Sequence, residues 1–271
     1  MAGTEEGEAG GVHPRSGYRH PEARGRGSRM GGEAAGREDS GAMTDEGPDI
    51  SANVHRLIAA PTGAGKSHFV GYLCEKLYEQ KRPFIILDTK TQNHIGLIGL
   101  KGVKRLQIRP GVEYDFKRLV EFDHLLCVPT IRTRTEDLIE QYSQLIDAVY
   151  TAGKSTVLLV EEAHNYNKNS YAPSPILELV AREGRGRGIS LWFVTQRIQD
   201  FPKLLWSQCY YTYLMKFLIP QDIRYVEQLI PDFTRINREL NRYDVLEFDH
   251  STAEYRILPK ETVQRKTKHY G

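Results

Sequence analysis

The chain has 271 residues, with 37 Lys and Arg against 35 Asp and Glu, for a formal net charge of +2. That balance excludes a global basic field, so any nucleic-acid contact has to come from local patches. Three cysteines, Cys74, Cys127 and Cys209, are scattered without a C-x-x-C pair, which suits a reducing compartment and argues against a disulfide framework or a zinc site.

Residues 1–50 hold 12 of the 24 glycines and only Val12 and Ile50 from the Val, Ile and Leu set. Such a segment cannot bury enough apolar surface to offset its ordering entropy, and a disordered tail is expected. Met43 would be a natural start for the domain beyond it. The N-terminus has no apolar stretch of the signal-peptide kind, and no run in the chain approaches the roughly 20 apolar residues that cross a bilayer. A soluble, cytoplasmic protein without a transmembrane segment is the expectation.

From Asn53 onward, strand-like and helix-like stretches alternate. Strands are predicted over 54–60, 83–88, "RLQI", "HLLCVP", "STVLLV", "ISLWFVTQ" and "YYTYLMKFL". Helices are predicted over His68 to Gln80, where Phe69, Val70, Leu73, Cys74 and Leu77 share a face, and over Thr135 to Thr151, with Leu138, Tyr142, Leu145, Ile146 and Val149 in phase. Further helices are expected at "PILELVAREG" and "PQDIRYVEQLI", and "YDVLEFD" and "AEYRIL" around "HST" form a C-terminal β-hairpin. Alternation of this kind implies an α/β fold, a mostly parallel sheet with helices on both faces. Three segments result: a tail over 1–50, a domain over 51–260 and a basic C-terminal tail over 261–271.

"APTGAGKS", Ala60 to Ser67, follows a strand and opens a helix. It fits the phosphate-loop (Walker A) pattern of a P-loop NTPase, with Ala60 in the leading glycine position. Pro61, Thr62 and Ala64 complete the curl, while Gly63 and Gly65 lack a Cβ and let backbone N–H groups approach phosphate oxygens. The helix N-terminus adds its positive end. Lys66 would reach the β- and γ-phosphates of ATP, and the Ser67 hydroxyl would sit on Mg²⁺.

The strand "STVLLV" runs directly into Glu161 and Glu162. Adjacent carboxylates at the end of a strand buried on both faces need a cation or protic partners. In parallel sheets, ligands gather at the carboxyl ends of the strands. If this strand lies beside the phosphate loop, Glu161 joins the metal shell and Glu162 orients or deprotonates the attacking water. His164 either couples this site to its neighbours or simply packs. Thr195 and Gln196 end another buried strand, and a glutamine there can hydrogen-bond both water and γ-phosphate. The glycine-rich connection before it carries Arg182, Arg185 and Arg187. An arginine offered to a neighbouring subunit's nucleotide requires a head-to-tail ring, and Arg185 is the choice of the three.

Together these residues resemble the HerA–FtsK superfamily of ATP-driven DNA pumps, over roughly Val54 to Pro259. "VEEAHNY" is similar to the HerA acidic pair followed by Ala-His, and "EGRGRGISLWFVTQR" to that family's stretch up to its sensor glutamine. The resemblance implies a RecA-like P-loop core, Gln196 as sensor, Arg185 as arginine finger and Asp88 and Lys90, from "FIILDTK", near the nucleotide edge. It further implies a homo-oligomeric ring, often a hexamer, that threads DNA, with a portal or membrane-complex protein as a further partner and the host cytoplasm as location if the protein is viral. The chain lacks the family's extra N-terminal barrel, membrane spans and DNA-reading domain, which leaves a bare motor like the smaller viral packaging ATPases. DNA contact itself is weakly encoded: "KGVKRLQIRP", "IRTRTED" and "QRKTKHYG" are basic but each also reads as a solvated face. An ATP-driven assembly or secretion factor acting on a protein partner, and a P-loop kinase, are the alternatives. A kinase should avoid a water-activating glutamate.

Overall fold

The structure is a computed structural model that describes residues 47–270. Residues 1–46 of the tail expected over 1–50, and the start at Met43, lie outside the described residues. The first strand, β1 (His55–Ala59), leads through the phosphate loop into α1 (Lys66–Glu79) and β2 (Phe84–Leu87). Then come β3 (Lys104–Ile108), the single turn α2 (Phe116–Leu119), β4 (His124–Pro129) and α3 (Thr135–Ala152). The sensor half continues as β5 (Thr156–Val160), α4 (Pro175–Glu183) and β6 (Ile189–Thr195). The chain closes with α5 (Lys203–Trp206), β7 (Cys209–Leu214), α6 (Pro220–Glu227), α7 (Phe233–Glu239) and the hairpin β8 (Val245–Asp249) and β9 (Glu254–Leu258).

All nine strands form one sheet in the order β3-β4-β2-β5-β6-β1-β7-β8-β9. Neighbours from β3 to β7 pair in parallel, and β8 and β9 are antiparallel. The expected α/β class, helical flanks and C-terminal hairpin are all present.

The side-chain period of two divides each apolar strand between two cores. Leu57, Leu158, Val160 and Phe193 point to the face covered by α3 to α7. Ile58, Val157, Leu159 and Trp192 point to the other, where α1 packs through Phe69, Val70, Leu73 and Leu77. Helix ends obey local chemistry: Gly153 takes the left-handed conformation that stops α3, and Pro175 opens α4.

One strand is shorter than its sequence suggests. "YYTYLMKFL" predicts a strand to Leu218, but β7 ends at Leu214. Asn237 on α7 takes both backbone groups of Phe217, accepting from its N–H at 2.8 Å and donating to its carbonyl at 2.9 Å, so that backbone is satisfied without a strand partner. Packing also continues on both sides of residues 51–260. Ile50 is buried, and the fully buried Arg56 donates to the Asp49 carbonyl at 2.8 Å and the Tyr213 hydroxyl at 2.7 Å. At the other end, Arg265 lies beside Glu75 of α1.

Candidate functional site

The phosphate loop turns because Gly63 and Gly65 hold φ of 79° and 97°, a region side chains other than glycine rarely enter. Ala60 N–H donates to the Thr195 carbonyl at 3.2 Å, tying the loop's start to the end of β6. Lys66 opens α1 and is almost fully buried. Its Nζ lies 3.5 Å from Glu161 Oε2 and 3.8 Å from Glu162 Oε1. The cation required by the two carboxylates at the end of β5 is therefore Lys66.

Glu161 has a second partner. His94 is fully buried, and its Nε2 is 2.7 Å from Glu161 Oε1. Burial opposes the charge on Glu161, but Lys66 and His94 outweigh it and hold the carboxyl down at about 2. Glu162 differs. Burial raises its pKa against the pull of Lys66, and its Oε2 has no hydrogen-bond partner. Its backbone is left-handed at φ 47°, a conformation that costs a non-glycine residue about 1–3 kcal/mol and marks functional turns. Two adjacent glutamates thus have opposite titration behaviour, one a fixed anion and the other a stronger base.

His164 touches both sides of the site. Its Nδ1 is 3.0 Å from Thr195 Oγ1 and 3.5 Å from Glu162 Oε2. Burial, then the Arg197 charge, lower its pKa to about 4, so the ring is neutral near pH 7. Gln196 is reached by the loop itself: Thr62 Oγ1 donates to its Oε1 at 2.8 Å. Asp88 ends β2 fully buried, with its pKa pushed up to about 6 by burial, and accepts from Lys90 N–H at 2.9 Å. Lys90, Lys66, Ser67 and Gln196 all line one cavity of about 680 Å³.

Of the residues singled out from the sequence, the fold brings Lys66, Ser67, Glu161, Glu162 and Gln196 to the carboxyl edge of β1, β5 and β6, with Asp88 beside them just past the end of β2. The glutamate pair lies beside the phosphate loop, within reach of Lys66, although β6 separates β5 from β1 in the sheet. The arginines lie elsewhere. Arg185 sits just before β6, its guanidinium 5.4 Å from the Tyr210 ring centre. Arg182 pairs with Glu178 at 2.7 Å, and Arg187 lies over Tyr150 at 4.4 Å. The seven residues of β6 separate this edge from Gln196, roughly 20 Å of extended chain. None of the three reaches the phosphate loop of its own chain.

Among the described residues, no group of three or more His, Cys, Asp or Glu side chains forms a metal cage. The Ser67 hydroxyl and the Glu161 carboxylate by the phosphate loop are donors of the type Mg²⁺ takes, one or two protein oxygens together with nucleotide phosphates and water. Also among the described residues, no helix is long and apolar enough to cross a membrane.

The family described as "Helicase HerA, central domain" matches residues 49–183, from before β1 through the glutamate pair to the end of α4. Over those residues the chain is of the HerA type. Protein P9 of Pseudoalteromonas phage PM2 is 29% identical over 160 residues, which are 58% of this chain and 66% of that protein, just under two thirds of its length. Solved structures of HerA–FtsK type show the same fold. The genome packaging NTPase B204 of Sulfolobus turreted icosahedral virus 2, in complex with ATP-gammaS, superposes with a TM-score of 0.60 at 18% identity, covering 76% of this chain and 97% of that one. The bacterial conjugative coupling protein TrwBdeltaN70 has a TM-score of 0.57 at 11% identity, with coverage of 80% and 88%.

Sequence reading missed His94. It sits in a loop, "QNHIG", with no spacing relation to the phosphate loop, and only the pairing of β2 with β5 brings it to Glu161.

Proposed function

We propose that this protein is an ATP-hydrolysing motor that moves DNA, acting as a homo-oligomeric ring in genome packaging or DNA transfer. The observation that carries the reading is the convergence of Lys66, Glu161, Glu162 and Gln196 around the phosphate loop. Lys66 would leave the carboxylates and clamp the β- and γ-phosphates as the backbone N–H groups of Thr62 to Ser67 close on them. Ser67 and Glu161 would hold Mg²⁺, which supplies charge neutralisation on the phosphates when bound. Glu162 takes a proton from the water that attacks the γ-phosphorus, while the bond to the bridging oxygen breaks and ADP leaves. Its raised pKa suits a base for that step. Gln196 orients the same water, and Thr62 fixes its amide.

Arg185 would act on the next subunit's nucleotide, since its own lies beyond reach across β6. That geometry supports a head-to-tail ring. The DNA-directed role draws on the genome packaging and conjugative coupling neighbours. Of the basic stretches, the loop between β4 and α3 exposes Ile131 and carries Arg132 and Arg134.

The test is steady-state ATP hydrolysis by the full chain with and without DNA, at low and moderate salt, beside Glu162→Gln. The motor reading expects hydrolysis to rise several-fold with DNA, to lose that rise as salt screens the phosphates, and to fall roughly 10²- to 10⁴-fold in the variant. Hydrolysis indifferent to DNA would redirect the function to a protein partner. A Glu162→Gln variant with wild-type turnover would remove the general base.

A further inference from the structure

The phosphate loop is only part of the lining of the 680 Å³ cavity. Met215, Val245 and Val263 add apolar side chains to it, and Tyr243, Lys260 and His269 add polar ones. Three of those six come from beyond β9, and two of them, Val263 and His269, from the stretch the sequence reads as a basic tail. That stretch is not a solvated tail. Glu75, on the third turn of α1 and 4% exposed, accepts from the backbone N–H of Lys266 at 2.7 Å and of Thr267 at 2.6 Å. Arg265 lies buried with its Nε 3.7 Å from the same carboxylate.

Two glycines make room for this segment. A Cβ on Gly71 would overlap the Arg265 guanidinium, and one on Gly96 would overlap the Lys268 carbonyl oxygen. The guanidinium is 3.1 Å from His269 Nδ1, and the His269 ring meets His68 edge-on at 5.7 Å between centroids, beside the loop. A buried carboxylate is costly unless hydrogen-bonded. Here it is committed to holding an extended segment in which Val263 is the buried apolar residue. Catalytic geometry asks nothing of Glu75, since Lys66, Glu161 and Glu162 are complete without it.

We propose that Lys260 to Tyr270 is the nucleoside wall of the site, anchored by Glu75, and that it gives this chain its affinity for a nucleotide over a bare polyphosphate. The inference rests on the nucleotide-binding reading above. The apolar lining would accept the flat base, and the Lys260 and His269 side chains would offer polar contacts to the nucleoside. Triphosphate binding, through the loop and Lys66, is independent of the segment.

Calorimetric titration of the full chain with ATP and with inorganic triphosphate, in Glu162→Gln to prevent turnover, separates nucleoside from phosphate binding. Variants are Glu75→Gln, removal of residues 265–271, and His269→Ala, whose half-buried ring can be removed without touching the sheet. Removal and Glu75→Gln should weaken ATP about tenfold or more, and His269→Ala several-fold, with triphosphate unchanged within about twofold; thermal melting verifies that each variant is folded. Equal losses for both ligands would make the segment a mere support for α1 and overturn the proposal. Unchanged ATP affinity in His269→Ala and in either anchor variant would overturn it as well. A parent that binds neither ligand would instead remove the nucleotide reading on which it stands.

Discussion

Replacing His55 with Asn should abolish most of the acid sensitivity at the edge of the sheet that carries Arg185. His55 begins β1 and is fully buried. Its Nδ1 accepts the Leu191 N–H at 2.8 Å, so the neutral ring is the form the fold uses. Burial, then the Arg185 charge, lower its pKa from 6.5 to about 4. A depressed base binds its proton more weakly when folded, so its contribution is intact above pH 6.5 and is lost as pH falls toward 4. Linkage with those two values gives a loss of about 0.8 kcal/mol at pH 6, about 2 at pH 5 and about 3 at pH 4. Asn can present Oδ1 where the ring presents Nδ1, keeping the acceptor without the titration. Urea unfolding followed by the fluorescence of the buried Trp192 and Trp206 reads the difference. Whatever offset separates the two proteins at pH 7, the gap should shift in favour of Asn by roughly 2 kcal/mol at pH 5. Parallel stability curves from pH 7 to pH 4 would refute the claim that His55 is held neutral.

Gly65→Ala should destabilise the chain by roughly 1–3 kcal/mol and weaken ATP binding, because φ is 97° and the new Cβ would stand 3.0 Å from Tyr243 Cδ1. A melt and an ATP titration both matching the wild type would contradict the loop geometry. Arg185→Ala should keep ATP affinity within about twofold yet lower hydrolysis by roughly 10³-fold or more; preserved turnover would return the trans role to Arg182 or Arg187. Burial raises the pKa of all three thiols, Cys74, Cys127 and Cys209. An aromatic disulfide reagent at pH 8 should therefore leave the native chain unlabelled and label three thiols after denaturation, and a fast-reacting native thiol would show an opening of one of the cores.

The chain's local features were legible because each depends on contiguous residues. "APTGAGKS" carries its own turn and helix start. "STVLLV" and "ISLWFVT" announce strands buried on both faces, and parallel pairing then requires their polar ends, Glu161, Glu162 and Gln196, to meet at one edge. The apolar alternation that separates Leu57 from Ile58 between two cores is likewise a property of sequence alone. Strand order was not legible, because any buried parallel strand can take any interior position. Tertiary structure inserts β6 between β1 and β5, and so sets which groups face Lys66. It also sends Arg185 to the opposite edge from the loop and brings His94 to Glu161 through the neighbouring β2.

The C-terminal segment shows the limit most plainly. By composition "QRKTKHYG" is a solvated basic tail, since nothing in its own pattern is apolar enough to pack. Its position is decided by one carboxylate almost two hundred residues earlier, Glu75, whose two backbone hydrogen bonds span 191 and 192 residues of chain. A contact between main-chain N–H groups and a distant side chain leaves no signature in the side chains of the segment it fixes, and only the folded chain reveals it.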